Sequence, residues 1–301
     1  MSISGEIRAK SILSPWLRLM RLDRPIGVYL LLWPTLWALW FASEGAPSVA
    51  TLIIFLLGLL VMRAAGCVIN DYVDRHVDGL VERTKSRPLP AGEIQPKQAL
   101  WLFAALLSIA LVLVLLTNPL TITLSLGGLA ITSMYPFMKR FTNLPQVGLG
   151  VAWAWVVPMA FAAERELLPA ELWLIFAAIV TWTVAFDTYY AMVDRKDDLK
   201  IGVKSTAILF GRYDLFAIIA LQAIMLILLV VVGIEFERGW TYFTALLIAA
   251  GYFVNQHQTT RQRDRTACFN AFLNNHRVGM VIFIGIAIDY LLDSTAVAEL
   301  I

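Results

Sequence analysis

The chain has 301 residues, of which 59% are hydrophobic and only 15% are charged, and its mean hydropathy is +0.72. A soluble domain carries about 25% charged residues, so this composition cannot cover a water-facing surface, which excludes an ordinary soluble enzyme and a disordered tail. The formal net charge of +2 provides no strong basic field, so no nucleic-acid partner is expected.

The apolar stretches predict nine helices that cross a membrane, because one span needs about 20 mostly apolar residues. The third stretch is long enough for two spans, which turn at Asn118 and Pro119. We therefore expect an all-α, multi-pass (polytopic) membrane protein. In chain order the stretches are Pro25–Ser43, Val49–Met62, Gln98–Met138, Val147–Ala163, Leu172–Phe186, Leu215–Ile234, Gly239–Arg261 and Val278–Ile288.

Lysine and arginine residues are divided unevenly between the two sides of the predicted spans. Of the 24, 21 fall in one alternating set of loops, whereas the opposite set contains only Arg165 and Arg238, and Arg63 lies within a span. Cytoplasmic loops are enriched in these residues, so we expect the N-terminus and both long polar loops to face the cytoplasm. The compact chain favours the bacterial inner membrane, with an organelle membrane as the alternative.

Span two carries charged side chains at membrane depth, where each costs about 2.5–3.5 kcal/mol on insertion scales. Asn70, Asp74 and Asp78 are spaced four residues apart, so they form one polar stripe on a continuous helix. Arg63 precedes Asn70 by seven residues and falls on the same side. Asp71 lies off the stripe, where it either supports the site or is solvated. The cost of these groups indicates a functional site.

Span six repeats the acidic pattern. Asp194 and Asp198 are again four residues apart, and Asp187 extends their stripe one level deeper into the membrane. The pair follows Asp74 and Asp78 by 120 residues. This recurrence is a weak indication of two related halves.

Two facing pairs of carboxylates would repel each other without a counter-charge. Hard oxygen ligands of this kind suit Mg²⁺, which takes few ligands from protein and the rest from water and phosphate oxygens. A diphosphate bridged to the carboxylates by metal is therefore the expected partner. Cationic side chains able to bind its oxygens and stabilise a leaving group follow both motifs. They are Arg83, Lys85, Arg87, Lys200 and Lys204.

Two other interpretations of these acids are open. A single Asp-x-x-x-Asp is often only a solvated helix end, although two such motifs, each followed by a basic loop, argue against that interpretation. Intramembrane acids in two similar helices also suit a cation or metabolite transporter with alternating access. A transporter site should lie near the membrane midplane, whereas these acids cluster at one face.

The acidic motifs resemble those of the UbiA-type intramembrane prenyltransferases. The family pattern is Asn-x-x-x-Asp-x-x-x-Asp on the second helix, present as Asn70, Asp74 and Asp78, and Asp-x-x-x-Asp on the sixth, present as Asp194 and Asp198. Further segments resemble the branch that acts on 4-hydroxybenzoate in ubiquinone biosynthesis. They are residues 21–27, 31–35, 62–78, 87–92, 135–140, 190–195 and 204–207.

This resemblance implies a single domain over residues 1–301, built as a bundle of nine helices around a central cavity. Loops at about residues 71–97 and 187–207 would cap the cytoplasmic end of that cavity. The cavity would open sideways to lipid, so that a long isoprenoid tail stays in the bilayer.

The resemblance also implies a reaction. A polyprenyl group would pass from polyprenyl diphosphate to the ring carbon of 4-hydroxybenzoate beside its hydroxyl, with Mg²⁺ as cofactor and diphosphate as leaving group. Asp74, Asp78, Asp194 and Asp198 would hold the metal, with Asn70 as a neutral oxygen ligand. Other branches of the family, which make menaquinone or haem O, are the alternatives.

The carboxylate of such an acceptor needs a cation. Arginine suits it, because the planar guanidinium binds a carboxylate through two hydrogen bonds. The candidates are Arg24, Arg63, Lys139 and Arg140, of which the resemblance favours Lys139 and Arg140 at the end of span four, and for each the alternative is an ordinary flanking charge. Asp187 or a phosphate oxygen would assist the loss of the ring proton.

Overall fold

The structure, a computed structural model, describes residues 14–76, 78–80 and 84–298, with Leu80 and residues 294–298 described by their backbone alone. Every regular element in these ranges is helical, so the predicted all-α fold is confirmed there. The α-helices are α1 (Pro15–Leu19), α2 (Ile26–Ala42), α3 (Val49–Asp74), α4 (Pro96–Leu115), α5 (Pro119–Phe141), α6 (Pro145–Ala154), α7 (Val156–Arg165), α8 (Leu172–Ile201), α9 (Thr206–Phe210), α10 (Asp214–Glu235), α11 (Trp240–Thr260) and α12 (Arg265–Ala298), and the 3₁₀ turns are Asp78–Leu80 and Gly211–Tyr213.

The long helices form a closed ring. From α2 the ring runs through α3, α4, α5 and the α6–α7 pair to α8, and then through α10, α11 and α12 back to α2. α7 also packs against α2, and α12 packs against α8, so the interior is partly filled by direct contacts between helices. We call the end of the bundle at which α3 finishes with Asp74 and α8 finishes with Ile201 the carboxylate end.

Seven helical segments in the described ranges are long and apolar enough to cross a membrane. α2 is apolar but shorter, with 17 residues, and α11, with 21 residues, is not among the seven. These helices indicate a multi-pass membrane protein. The count of nine spans stays a prediction.

The predicted fifth span, residues 147–163, is divided into two helices at Trp155. Pro158 has no backbone N–H to donate to the carbonyl of Ala154, and α6 ends at Ala154. The indole N–H of Trp155 donates a 2.8 Å hydrogen bond to the carbonyl of Leu124 on α5. The proline explains why one apolar stretch yields two helices.

Buried aromatic side chains join three helices in the interior. Trp37 of α2 stacks on Trp182 of α8 with ring centroids 5.2 Å apart, and both side chains are fully buried. Trp37 donates a 3.0 Å hydrogen bond to the carbonyl of Gly279, and Trp182 donates a 2.9 Å bond to Asn275. Because both acceptors belong to α12, the pair fixes α2, α8 and α12 to one another.

Gly279 is a position where this packing admits no side chain. A Cβ atom there would lie 2.7 Å from Trp33 and 2.8 Å from Trp182. We expect Gly279→Ala to lower the free energy of unfolding by about 1–3 kcal/mol, the usual cost of overpacking, measured by thermal unfolding in detergent. Gly58→Ala is the control, since nothing lies within 4 Å of its added Cβ and alanine favours helix. Equal losses at both glycines would contradict this account of the packing.

At the end of the bundle opposite the carboxylate end, the buried side chain of Asp289 joins α12 to the turn between α10 and α11. Asp289 of α12 accepts hydrogen bonds from the backbone N–H of Gly239, at 2.8 Å, and from the hydroxyl of Thr241. The guanidinium of Arg238 lies 3.5 Å from Asp289 and 3.8 Å above the centre of the Tyr290 ring. These contacts tie the turn between α10 and α11 to α12.

Candidate active site

A cavity of about 680 Å³ opens at the carboxylate end, between α2, α3, α5, α6, α8 and α12. Lys85 and Arg140 do not line it, and Arg83 lies outside the described residues. The structure therefore brings both acidic motifs to the wall of one cavity. The residues singled out from the sequence that line it are Arg24, Arg63, Asn70, Asp71, Asp74, Asp78, Arg87, Lys139, Asp187, Asp194, Asp198 and Lys204.

The first acidic motif is not one continuous helical stripe. Asn70 and Asp74 lie one turn apart on α3, but the helix ends at Asp74, and Asp78 begins the following 3₁₀ turn. Arg75 donates a 2.6 Å hydrogen bond to the carbonyl of Tyr72, which replaces a bond of the next helical turn. The prediction of a stripe through Asp78 is therefore wrong, although Asp78 lines the same cavity.

Both carboxylates of this motif have a cationic partner. Asp74 forms an ion pair with Lys139 through Oδ2, and Asp78 accepts a 2.6 Å hydrogen bond from Arg87. The second oxygen of Asp74, Oδ1, is buried and has no hydrogen-bond partner within the described ranges. Buried polar atoms are rarely left unsatisfied, so this oxygen in the cavity wall is a position that a bound cation would satisfy.

Asp71 supports the first motif through a hydrogen-bond partner that both share. Its side chain is fully buried and accepts hydrogen bonds from Arg21, at 2.8 Å, and from Arg87, at 3.0 Å. Because Arg87 also bonds Asp78, it links the two carboxylates. Of the two expectations for Asp71, support is therefore correct and solvation is wrong. Arg21 was missed by the sequence analysis, since only the folded chain brings it to Asp71.

The second acidic motif lies on a helix that is longer than expected. α8 continues to Ile201, so residues 187–201 are helical and the predicted loop at 187–207 is wrong over most of its length. Gly202 ends the helix with a φ of 74°, a left-handed conformation that glycine adopts without strain. Asp187, Asp194 and Asp198 consequently project from one helix face into the cavity.

One cation near this motif was not predicted. Arg265, the first residue of α12, places Nη2 3.9 Å from Oδ1 of Asp194 and 3.6 Å from Oδ2 of Asp197. Its sequence position among other cytoplasmic-type arginines gives no signal that it meets α8.

Arg63 is the cation set deepest among the acceptor candidates. Its guanidinium contacts Sγ of Cys67 one turn nearer Asp74, and its Nε is buried with no hydrogen-bond partner in the part of the chain that the structure describes. Gly27 leaves room for this group, because a Cβ there would lie 2.2 Å from Nη2 of Arg63. Tyr135 lines the same part of the cavity.

The other acceptor candidates are occupied or exposed. Arg140 donates a 2.8 Å hydrogen bond to the carbonyl of Val73 and so caps α3. Arg24 is largely exposed and pairs with Asp23 at 3.8 Å. Lys139 is held by Asp74, as described above.

Lys204, predicted to bind phosphate, lies at the rim of the cavity. Its Nζ donates a 3.1 Å hydrogen bond to the carbonyl of Phe141, at the end of α5. Its backbone N–H also bonds α5, so the turn after α8 is attached there.

The donor set fits a magnesium ion shared with a ligand. No group of three or more His, Cys, Asp or Glu side chains able to hold a metal by themselves occurs among the described residues. The carboxylates stand instead as two small sets on α3 with its following turn and on α8. Mg²⁺ is usually bound by one or two carboxylates together with phosphate oxygens and water, which matches sets of this size.

Comparison with known proteins finds one matching family and similar curated relatives. The UbiA prenyltransferase family matches residues 31–283. A protein of Ectopseudomonas mendocina (strain ymp) named 4-hydroxybenzoate octaprenyltransferase is 59% identical over 277 residues, which cover 92% of this chain and 94% of that protein.

Solved structures have the same fold. The apo structure of a UbiA homologue from Aeropyrum pernix K1 matches with a TM-score of 0.77 and 26% identity, over 86% of this chain and 97% of the other. A UbiA homologue from Archaeoglobus fulgidus, solved with GPP and Mg²⁺, matches with a TM-score of 0.72 and 22% identity, over 92% and 99% of the two chains.

Proposed function

The chain belongs to the UbiA prenyltransferase family, and from this premise we propose that it transfers a polyprenyl group from polyprenyl diphosphate to 4-hydroxybenzoate. The resemblance inferred from the acidic motifs is thereby confirmed. The observation that carries the reaction is the cavity whose wall holds Asp74 and Asp78 on one side and Asp194 and Asp198 on the other. The name of the curated relative supports an octaprenyl donor.

The donor diphosphate lies between the two carboxylate sets. Asp74, Asp78, Asp194 and Asp198, with Asn70, would hold Mg²⁺, and the unsatisfied oxygen of Asp74 supports this role. When bound, the metal would neutralise the diphosphate and make it a better leaving group. The lysine and arginine side chains at the rim add positive charge where the leaving group develops negative charge. They are Arg87, Lys139 and Lys204, and Arg83 and Lys85 follow the first motif in the sequence.

Arg63 binds the carboxylate of the acceptor. An α-helix rises about 1.5 Å per residue, so Cys67, which the guanidinium touches, is about 10 Å along the axis from Asp74. That interval accommodates a hydroxybenzoate with its carboxylate on Arg63 and its reactive ring carbon towards the diphosphate. A buried guanidinium is also a poor neighbour for a hydrocarbon tail, since it would leave polar atoms unsatisfied.

The remaining steps of the reaction take place inside the cavity. The polyprenyl tail runs along apolar helix faces into the bilayer, and the allylic C–O bond breaks as the diphosphate leaves with its electron pair. The ring carbon beside the phenol oxygen attacks the allylic carbon, and the ring proton passes to Asp187 or to a phosphate oxygen. Exclusion of bulk water protects the cationic carbon from hydrolysis.

The membrane arrangement follows from the same proposal. Residues 1–301 form one domain with nine spans in a bacterial inner membrane, and the carboxylate end and the N-terminus face the cytoplasm. Of the predicted cap at residues 71–97, residues 71–74 belong to α3 and residues 96 and 97 to α4, so the described residues between these helices, with the end of α8 and the turn after it, would cap the cavity. The charge distribution, with Arg165 and Arg238 alone on the opposite side, supports this orientation.

The alternatives are less well supported. The menaquinone and haem O branches are less well supported, because the relative that is 59% identical over 92% of this chain is named for transfer to 4-hydroxybenzoate. A transporter would need a path through the bundle, and the stacked pair of Trp37 and Trp182 occupies the space between α2 and α8.

The test is incorporation of radiolabelled 4-hydroxybenzoate into the lipid extract of membranes that contain the chain, given octaprenyl diphosphate and Mg²⁺. We expect a labelled prenylated acid that is absent with EDTA, restored by excess Mg²⁺, and absent in membranes without the chain. Uptake of substrate by liposomes without any labelled product would favour a transporter and contradict the proposal.

A further inference from the structure

A buried ion cluster lies beside the site, and the proposed reaction does not use it. Asp214, the first residue of α10, is fully buried and accepts hydrogen bonds from Arg195 of α8 and, at 2.9 and 3.1 Å, from Nε of Arg263, which lies between α11 and α12. The backbone N–H of Leu215 adds a 2.6 Å bond to the same carboxylate. We name Asp214, Arg195 and Arg263 the Asp214 clamp.

The clamp holds the part of α8 that carries the second acidic motif. Arg195 directly follows Asp194, and side chains of successive residues point about 100° apart around a helix. With Arg195 fixed to α10, Asp194 and Asp198 face the cavity. A rotation at this end of α8 that released Arg195 would turn both acids away, so the clamp helps to hold the rotational position of this end of α8.

The clamp also fixes the segment that carries Arg265. Arg263 has a φ of 56°, in the left-handed region, and donates a 2.9 Å hydrogen bond to the carbonyl of Arg212. Such a backbone costs free energy in a residue other than glycine and persists only when surrounding contacts hold it. Two residues later, Arg265 reaches Asp194 and Asp197. The carboxylate of Asp214 thus holds both Arg195, which is next to Asp194 on α8, and the segment that brings Arg265 to Asp194.

We propose that Asp214 is a positioning residue for the metal site: by clamping Arg195 and Arg263 it sets the direction in which Asp194 and Asp198 present their carboxylates to a divalent cation. This inference rests on the proposed function, because it assumes that these carboxylates bind metal. Asp214 does not line the cavity, so it acts through α8 and not on the substrates.

Loss of the negative charge should release the clamp. Asp214→Asn keeps the volume of the side chain and one acceptor oxygen, but it leaves two guanidinium groups beside a neutral partner. Breaking one partner of a buried ion pair is unfavourable, because the remaining charge is uncompensated. Arg195 and Arg263 then repel each other, and the end of α8 that carries the second acidic motif loses a contact that holds its rotation.

The experiment uses EPR to measure the binding of Mn²⁺ to the purified full chain in detergent, in the presence of inorganic pyrophosphate. Mn²⁺ serves as a paramagnetic substitute for Mg²⁺. We expect Asp214→Asn to raise the Kd for Mn²⁺ about tenfold, the lower range for residues that support metal ligands. The Mg²⁺ concentration for half-maximal activity should rise in parallel, and kcat should recover at saturating Mg²⁺. A merely structural role would lower the Tm and kcat at every Mg²⁺ concentration.

Asp264→Asn is the matched control. It removes a carboxylate next to Arg263, and asparagine can still accept the 3.0 Å capping hydrogen bond that Asp264 receives from Ala267. It should leave Mn²⁺ binding unchanged. If Asp214→Asn does not fold, Arg263→Gln, whose side chain is 38% exposed, gives the same readout.

The outcomes separate the two proposals. Equal Mn²⁺ affinity in the wild-type chain and in Asp214→Asn, or in Arg263→Gln if that variant is used, would overturn the role of the clamp and leave the proposed function standing. Failure of the wild-type chain to bind Mn²⁺ with pyrophosphate would overturn the metal site and, with it, the clamp.

Discussion

Replacing Asp74 with asparagine is expected to lower kcat by about 10²–10³-fold, the range produced by loss of one electrostatic stabiliser of a transition state. Asparagine matches the volume of aspartate, so folding and membrane insertion should be preserved while the negative charge at the metal site is lost. Its Oδ1 is buried in the cavity wall without a hydrogen-bond partner among the described residues, which supports this carboxylate as a metal ligand. The measurement is the initial rate of labelled lipid formation at saturating substrates, with thermal unfolding of the same sample.

Asp197→Asn is the control for this change. It removes the same charge from the same end of the bundle, but Asp197 does not line the cavity and instead pairs with Lys200 and Arg265. This variant should retain most of the activity. Equal losses of kcat in Asp74→Asn and Asp197→Asn would show that activity depends on the total negative charge at this end of the bundle, and not on Asp74 as a metal ligand.

Replacing Arg63 with glutamine is expected to raise the KM for 4-hydroxybenzoate about 10- to 100-fold, because a hydrogen bond to a charged group contributes about 1.5–3 kcal/mol and 1.4 kcal/mol is a factor of ten. The KM for polyprenyl diphosphate should change little, since Arg63 lies deeper than the carboxylate motifs. Initial rates with one substrate varied and the other saturating separate the two effects.

The acceptor itself provides the control. 4-Hydroxybenzamide keeps the ring and hydroxyl but has no carboxylate, so the wild-type chain should prefer the acid strongly and Arg63→Gln should lose that preference. Arg24→Gln, a change at a largely exposed cation, should keep it, because exposed ion pairs contribute little. A preference for the acid that survives Arg63→Gln would remove Arg63 from the acceptor pocket.

The all-helical fold and the polar face of each acidic helix could be predicted because they depend on local patterns, whereas the meeting of the two motifs was inferred from their position at the same membrane face and from the family resemblance. Apolar length marks helices, and four-residue spacing marks one helix face. On α8 this spacing describes the real helix, which continues without interruption past Asp198. On α3 it fails at Asp78, because the spacing contains no information about where the helix ends.

The choice of acceptor cation and the role of Asp214 depended on contacts between residues distant in sequence, which the sequence alone does not reveal. Sequence reasoning could not rank Arg63 above Arg140, since the difference lies in what each guanidinium meets: an open cavity or the carbonyl of Val73. Asp214 gave no signal, because it is a single acid at the start of an apolar helix. Its burial between Arg195 and Arg263 exists only in the folded chain.

The two ends of the bundle differ in how open they are. The cavity with its charged side chains opens at the carboxylate end, whereas the stacked indoles of Trp37 and Trp182 occupy the space between α2 and α8, and the opposite end has the buried pairing of Arg238 with Asp289. A cavity with its opening at the carboxylate end would let the water-soluble acceptor, the metal ion and the released diphosphate exchange there, so we expect turnover to respond to their concentrations on that side of the membrane.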